Sequence, residues 1–372
     1  MNETEFDAGS IDAYDYDLPR ELIAQHPLDH RIDARLLLIN RQTGELSHHY
    51  VRDLPDLLNA GDVLVLNNSK VIPARLVGMR TSTRGRWEGL YLRAAENGFW
   101  EMLSKTRGHM TPGETITLRD HDGRDSEQLV VCSRMDEGHL AVRPLEPIAI
   151  EEFLERFGRV PLPPYIRNGQ MVDQDTTSYQ TVYAKVPGSV AAPTAGLHFS
   201  TDLIRHLQKR GVVTAGVTLH VGIGTFRPVA TERIEDHKMH TEWCEITDNA
   251  ASKITDARSA GGRVVAIGTT SVRVLETAAQ QQNASKTVED AQAKRAESSK
   301  LAGWSGETNI FIRPPYSFQM VDAMLTNFHL PKSTLLMLVS AFAGRELIMR
   351  AYHAAIEERY RFYSYGDCML IV

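Results

Sequence analysis

The chain has 372 residues, of which 42% are hydrophobic and 24% charged, as in a soluble globular protein large enough for two cores. It has no apolar run near the roughly 20 residues that cross a bilayer, no secretory signal and only three scattered cysteines, so we expect a cytoplasmic protein without a disulfide framework. The net charge of -6 argues against a nonspecific nucleic-acid coat protein.

The first seventy residues alternate strand and turn signals. Leu36–Asn40 and Glu45–Tyr50 flank a Gly-containing loop and predict a hairpin. Asp53–Leu58 predicts a short helix, and the apolar run Val63–Asn67 predicts a buried strand.

From Val71 to Pro147 short alternating segments follow one another without a helical stretch, separated by Gly-bearing turns. This spacing predicts a small β-barrel or sandwich with six strands: Ala74–Met79, Glu88–Arg93, Phe99–Leu103, Glu114–Leu118, Gln128–Ser133 and His139–Arg143. The segment Val71–Met110 carries seven basic and three acidic residues, a local charge of +4 that leaves -10 for the remainder. Charge alone leaves open whether this face holds a polyanion or protects a strand edge.

Strands and helices alternate in the rest of the chain. The predicted helices are Ile150–Phe157, Leu203–Lys209, Ala250–Ala260, Val272–Ala279 and Thr334–Ala343, and the predicted strands are Val212–Val221 and Arg263–Ile267. We therefore expect a discontinuous α/β domain with a mixed sheet, Met1–Lys70 plus Ile150–Val372, into which a β-barrel-like domain, Val71–Ala149, is inserted. Within it, Gln280–Lys300 is poor in apolar residues and predicts an exposed flexible insertion.

The first candidate site follows the strand that ends at Ile267. Thr269, Thr270 and Ser271 stand at the start of the next helix, where free backbone N–H groups and hydroxyls hold an anion, and Arg273 adds a charged fork. The alternative is that these hydroxyls only cap the helix.

The second candidate site surrounds Asn327, His329 and Lys332, where another strand hands over to a capped helix. His329 has the ordinary pKa of a general acid or base, but a lone loop histidine is more often structural. Sequence leaves both roles open.

Other motifs are weaker. His237 and His240 with Cys244 have the residue types of a zinc site but lack a fourth ligand at a diagnostic spacing. The Gly-rich stretch Gly216–Gly224 lacks the GxGxxG order of a dinucleotide site, and neither GxSxG nor a P-loop occurs. Four side chains could stack on or pair with bases, although scattered tyrosines more often serve packing: Tyr165, Arg167, Tyr179 and Tyr183.

Long and unusual strings then identify a family. The chain resembles the S-adenosylmethionine:tRNA ribosyltransferase-isomerases of queuosine biosynthesis, and the resembling segments run nearly end to end. They are Tyr16–Pro27, Asp53–Leu76, Gly158–Ile166, Tyr179–Phe199, Leu219–Val229, Thr269–Glu276, Thr326–Val339 and Tyr360–Leu370.

The resemblance implies a monomeric α/β enzyme with an inserted barrel. It also implies that the ribosyl portion of S-adenosylmethionine moves to 7-aminomethyl-7-deazaguanine at the wobble position of a tRNA, giving epoxyqueuosine and releasing adenine and methionine. The sulfonium donor is consumed as a substrate, and neither a metal nor a tightly held cofactor is expected.

Site residues are hypotheses carried by motif position and side-chain type. The proton-transfer candidates are His198 and His329, then His220. The donor-binding candidates are Thr269, Thr270, Ser271, Arg273 and Asn327. The candidates for contact with tRNA are Arg75, Arg84, Arg86, Lys105, Arg107, Tyr165 and Arg167.

The sequence departs from the family pattern in three places. Asn67-Asn68-Ser69-Lys70 replaces the usual Asn-Asp-Thr-Arg, Ser178 replaces a common Arg, and the insertion Gln280–Lys300 is longer than expected. Two other functions stay open at this point. One is a methyltransferase that uses the same donor, and the other is a non-catalytic RNA-binding protein.

Overall fold

The computed structural model describes residues 9–95, 98–222, 224, 231, 233–284 and 300–372. The chain divides into two compact units, which we call the α/β unit (Met1–Lys70 and Thr177–Val372) and the barrel unit (Val71–Thr176). The predicted second α/β segment begins at Ile150, whereas residues 150–176 belong to the barrel unit. The reason is packing, because Phe153 meets Trp100 of the barrel edge-on at 4.8 Å between ring centroids.

The elements are numbered along the chain. The strands are β1 (Arg35–Ile39), β2 (Leu46–Tyr50), β3 (Val63–Asn67), β4 (Ser69–Val71), β5 (Arg75–Arg80), β6 (Arg86–Ala94), β7 (Trp100–Thr106), β8 (Thr115–Arg119), β9 (Asp125–Arg134), β10 (His139–Pro144), β11 (Val186–Ser189), β12 (Val213–Leu219), β13 (Glu242–Ile246), β14 (Val264–Ile267), β15 (Trp304–Thr308), β16 (Ala323–Asn327) and β17 (Cys368–Ile371). The helices are α1 (Leu54–Leu57), α2 (Ile150–Phe157), α3 (Asp175–Ser178), α4 (Thr201–Lys209), α5 (Asp248–Ser259), α6 (Thr269–Ala284), α7 (Thr334–Ala343) and α8 (Arg345–Glu357).

The α/β unit contains a mixed sheet of nine strands in the order β15-β13-β12-β3-β14-β16-β17-β1-β2. Strands β12, β3, β14 and β16 run parallel, while β17 is antiparallel to β16 and pairs Cys368 with Asn327. The carboxyl ends of the four parallel strands therefore lie along one edge of the sheet, together with the amino ends of β17 and β1. We call this the carboxyl edge, the place where open α/β sheets bind ligands.

The core of the α/β unit lies on both faces of this sheet. Leu64, Val265 and Leu325 pack in one apolar cluster with Leu203 and Leu207 of α4. Helices α5 and α6 pack on β3, β12 and β14. Because both faces are covered, the central strands are continuous apolar runs rather than alternating ones, as in the fully buried strand β14.

The barrel unit is built on a closed antiparallel barrel in the order β10-β7-β6-β5-β8-β9. Closure leaves no free strand edge. Inward side chains such as Trp87 and Met102 are fully buried, while their neighbours along the strands are more exposed. The predicted inserted β-barrel inside a mixed α/β fold is thus confirmed.

Most predicted elements are present, with two differences that matter for the site. Helix α6 begins at Thr269 rather than at Val272, so the polar residues form its first turn. Helix α8 was not predicted, because Gly344 marked an end; Gly344 instead turns the chain at φ 82° directly into a second helix.

The greater part of the predicted insertion, residues 285–299, lies outside the described residues. Among the residues that the structure does describe, no helix is long and apolar enough to cross a membrane.

Candidate functional site

The first turn of α6 lies at the carboxyl edge, directly after β14. Gly268 makes the turn at φ 87°, and the Ser271 hydroxyl donates to the carbonyl of Ile267 at 2.9 Å. The first N–H groups of a helix have no intrahelical acceptor, and the buried Thr270 Oγ1 has no hydrogen-bond partner in the part of the chain that is described. Unused donors at a helix start favour an anion.

Arg273 lies one turn further along α6 and forms a buried ion pair with Glu242 of β13. The side chains are only 6% and 5% exposed, and Arg273 Nη1 donates to Glu242 Oε2. Glu242 Oε1 accepts from the backbone N–H of Gly222 at 2.7 Å. Nε and Nη2 of Arg273 are buried without a partner among the described residues. A guanidinium with two unused donors inside the protein is suited to a second anionic group.

His198 and Asn327 contact each other at the end of β16. Asn327 Oδ1 accepts from the Thr194 hydroxyl at 3.0 Å, and its Nδ2 donates to the carbonyl of Tyr363 at 3.1 Å. These partners fix the amide orientation, so Nδ2 also donates to His198 Nε2, 3.1 Å away. His198 Nε2 is therefore an acceptor, and the ring proton sits on Nδ1.

The surroundings of His198 keep its imidazole neutral. Burial and the nearby guanidinium groups of Arg31 and Arg361 lower its pKa from 6.5 to about 3. A neutral imidazole of this kind is a weak base at neutral pH, and it presents an N–H donor at Nδ1.

His329 is buried two residues after Asn327. Its Nε2 lies 3.0 Å from the Thr326 hydroxyl, and its backbone N–H donates to the phenol oxygen of Tyr352 at 2.8 Å. The Tyr16 hydroxyl donates to its carbonyl. Burial lowers the pKa of His329 to about 3. Phe328, which lies between Asn327 and His329, packs edge-on against the ring of Tyr352, and this contact fixes the loop.

His220 follows β12 at the same edge. Its ring stacks on Trp243 with centroids 5.3 Å apart, and its backbone N–H donates to the Trp243 carbonyl at 3.0 Å. Nδ1 has no hydrogen-bond partner within the described chain, and burial lowers the pKa of the ring. Trp243 is 39% exposed, so the pair offers a partly open aromatic surface.

Two other groups that the sequence singled out have structural partners, Lys332 and His237. Lys332 forms ion pairs with Asp12 at 2.7 Å and Asp15 at 3.1 Å. His237 packs on Phe311, and no cluster of three or more His, Cys, Asp or Glu suited to a metal occurs among the residues described.

The barrel candidates differ in how much of their charge is free. Arg75 and Arg86 both bond to Glu88, and Arg84 pairs with Asp125 at 3.0 Å. Arg167 is paired with the buried carboxylate of Asp175. The other two cations, Lys105 and Arg107, are exposed, and the ring of Tyr165 is partly buried.

The departure at Asn68 and the adjoining Asn67 are accommodated by hydrogen bonds. Asn67 is fully buried and bonds both backbone groups of Leu219, at 3.0 and 3.1 Å. Asn68 Oδ1 accepts from the Thr218 hydroxyl at 2.8 Å. The amide at position 68 therefore joins β3 to β12 without a charge.

Glu242, Arg31, Arg361 and Trp243 were not singled out from the sequence. Arg361 stands in the string Tyr360–Leu370 that carried the family resemblance, which could have pointed to it. The other three lie outside the quoted strings, and only the three-dimensional pairing of β13 with its neighbours brings Glu242 to Arg273.

Comparisons with known proteins agree on one family. A family model described as "Queuosine biosynthesis protein" matches residues 11–371. An S-adenosylmethionine:tRNA ribosyltransferase-isomerase from Desulfitobacterium hafniense is 45% identical over 362 residues, 97% of this chain and 99% of the relative. One from Caldanaerobacter subterraneus subsp. tengcongensis is 46% identical over 357 residues, 96% and 98% of the two chains.

A solved structure is also similar. The crystal structure of an S-adenosylmethionine tRNA ribosyltransferase from Thermotoga maritima matches with a TM-score of 0.52 and 34% sequence identity. The match covers 97% of this chain and 100% of that one.

Proposed function

Since the chain belongs to the queuosine biosynthesis protein family, we propose that it is an S-adenosylmethionine:tRNA ribosyltransferase-isomerase. The observation that carries this proposal is the 45% sequence identity to the Desulfitobacterium hafniense enzyme, which extends over nearly the whole length of both proteins. The enzyme moves the ribosyl portion of the donor onto 7-aminomethyl-7-deazaguanine at the tRNA wobble position. Epoxyqueuosine is formed, and adenine and methionine leave.

The chemistry demands an anion site, proton transfer and a neutral nucleophile. The sulfonium acidifies the adjacent ribose carbon, whose deprotonation starts the loss of adenine, and the exocyclic amine then attacks as a neutral group. Proton carriers and donors near the ribose and the leaving base would serve these steps.

The donor-binding role falls to the start of α6. The hydroxyls of Thr269 and Thr270 and the free N–H groups of the first turn would hold oxygen atoms of the donor, whereas the Ser271 hydroxyl already donates to the carbonyl of Ile267. The two unused N–H donors of Arg273 would bind its carboxylate. Support comes from the burial of Arg273, because a water-excluded guanidinium binds an anion more strongly than an exposed one.

His198 and Asn327 would act beside this site. With its proton on Nδ1, His198 would donate a hydrogen bond to the ribose or the departing adenine, while Asn327 holds the ring in that tautomer. His329 and His220 stay candidates for proton transfer, with lower priority. No metal or tightly held cofactor enters this scheme, and we propose that the enzyme acts as a cytoplasmic monomer.

Product analysis tests the reaction. The chain is incubated with S-adenosylmethionine and an anticodon stem-loop that carries the aminomethyl base. Free adenine and methionine are expected; S-adenosylhomocysteine would indicate methyl transfer, and an intact donor beside bound RNA would indicate a binding protein. Single-turnover rates of His198→Ala and Asn327→Ala then test the residue roles, and unchanged rates would remove both from the chemistry.

A further inference from the structure

Two arginines from distant parts of the α/β unit lie beside His198. Arg31 stands in a short 3-10 turn, Arg31–Asp33, and Arg361 follows α8. The guanidinium of Arg31 donates to the carbonyl of Leu197 at 3.4 Å, directly before His198. Arg361 is joined to the same place through Asp367, whose Oδ2 accepts the Arg361 backbone N–H at 2.7 Å and whose carbonyl accepts from Asn327 Nδ2 at 3.4 Å. That amide is the one that contacts His198.

These two cations have backbone carbonyls as partners but no carboxylate within ion-pair distance in the described part of the chain. Arg31 donates to the carbonyls of Thr177 and Ser178 at 3.2 and 3.5 Å, and Arg361 donates to that of His26. Nη1 of Arg361 is buried and has no hydrogen-bond partner among the described residues.

The carboxylate of Asp367 interacts with Arg361 but already has other partners. Both oxygens of Asp367 accept backbone N–H groups, that of Arg35 at 2.8 Å and that of Arg361 at 2.7 Å. Desolvation raises the pKa of Asp367. Burial lowers the pKa of both arginines, and Asp367 offsets this in part at Arg361.

Two further groups at this point can donate hydrogen bonds. The Tyr183 hydroxyl is buried near Arg31 and has no hydrogen-bond partner in the described chain. His198 presents its Nδ1–H, because its Nε2 already accepts from Asn327. Unused donors, together with two cations that have no ion-pair partner in the described chain, are complementary to a group with several acceptor oxygens and negative charge.

We propose that Arg31 and Arg361 form an oxyanion site beside His198 that binds a substrate of the reaction. The site rests on the proposed function for its ligand, which is a phosphodiester of the RNA, because the carboxylate of the donor is assigned to Arg273. Arginine binds a phosphate through its planar fork of N–H donors.

The experiment compares Arg31→Gln and Arg361→Gln with Arg41→Gln. Arg41 is a matched control because its half-buried guanidinium also donates to backbone carbonyls, those of Phe342 and Asp322, at the opposite edge of the sheet. Three titrations are made on each full-length variant. Sulfate binding is measured by the shift in thermal unfolding, and S-adenosylmethionine binding is measured by calorimetry. Binding of the modified anticodon stem-loop is measured by fluorescence anisotropy at several salt concentrations.

Sulfate should raise the unfolding temperature of the unmodified chain and of Arg41→Gln, and this stabilisation should be smaller in Arg31→Gln and Arg361→Gln. A further variant, Arg361→Lys, should recover part of it because it keeps the positive charge. The site variants are expected to bind the RNA about tenfold more weakly or worse, and the slope of log K against log salt should fall by about 0.7 to 0.9. Donor binding that weakens by this factor while RNA binding is unchanged would overturn the assignment to a phosphate.

The proposal is overturned if both site variants bind sulfate, donor and RNA as Arg41→Gln does. That result differs from failure of the proposed function, in which the unmodified chain releases no adenine. The sulfate titration needs neither substrate, so it tests the oxyanion site in either case.

Discussion

The buried pair Arg273–Glu242 permits a test that separates binding from stability. In Glu242→Gln the carboxylate charge disappears while the guanidinium stays inside the protein, where both side chains are at most 6% exposed. Removing one partner of a buried ion pair costs about 3 to 5 kcal/mol, because the remaining charge is uncompensated. We expect a loss of this size in the free energy of unfolding.

A double variant removes both charges. Replacing a buried pair with apolar residues of similar volume is often neutral. Glu242→Leu combined with Arg273→Met should therefore recover most of the stability that Glu242→Gln loses. It should nevertheless fail to bind S-adenosylmethionine, because the two unused donors of Arg273 are gone.

Urea unfolding and donor calorimetry are measured on the unmodified chain, on Glu242→Gln and on the double variant. A double variant that is stable and still binds the donor with unchanged affinity would refute the role given to Arg273. A double variant as unstable as Glu242→Gln would contradict the explanation that Glu242→Gln loses stability because the charge of Arg273 is left uncompensated.

Three other outcomes are expected. His198 has a pKa of about 3 when folded and near 6.5 when unfolded, so its contribution to stability is complete above about pH 6.5 and is lost as the pH falls toward 3. Between about pH 6.5 and 5 the free energy of unfolding measured with urea should therefore fall by about 2 kcal/mol less in His198→Asn than in the unmodified chain. The control His206→Asn, at an exposed position, should follow the unmodified chain. Gly196→Ala would place a Cβ 2.0 Å from the Tyr183 hydroxyl oxygen, so we expect a loss of about 1 to 3 kcal/mol that the added change Tyr183→Phe reduces; equal unfolding midpoints for both would contradict the clash. Lys105→Gln should lower the salt slope of RNA binding by about 0.7 to 0.9 without altering stability, and an unchanged slope in anisotropy titrations would remove Lys105 from the RNA contact.

The regular elements follow from local sequence patterns. Val63–Asn67 is a strand of five buried residues and was predicted with the same bounds, because a continuous apolar run bounded by turn signals has one stable solution in a covered sheet. The six barrel strands were found for a similar reason, since a Gly-bearing turn separates each from the next.

The site could be predicted only where one motif carries it. The first turn of α6 was visible because strand, glycine and hydroxyls are contiguous. The partner of Arg273 was not, because Glu242 lies 31 residues away and reaches Arg273 only through strand order. The state of His198 was also hidden, since its neutral form depends on burial and on two arginines distant in sequence. Sequence spacing does not reveal which buried groups stay unpartnered.

The most direct test of the central claim is the stoichiometry of one turnover. The chain is mixed with donor labelled in the ribose and with the modified anticodon stem-loop, and both adenine and RNA-bound label are counted. One adenine released for each labelled ribosyl group joined to RNA is the predicted result. Label that stays with adenine in an intact donor, or a methyl group found on the RNA instead, would contradict the claim.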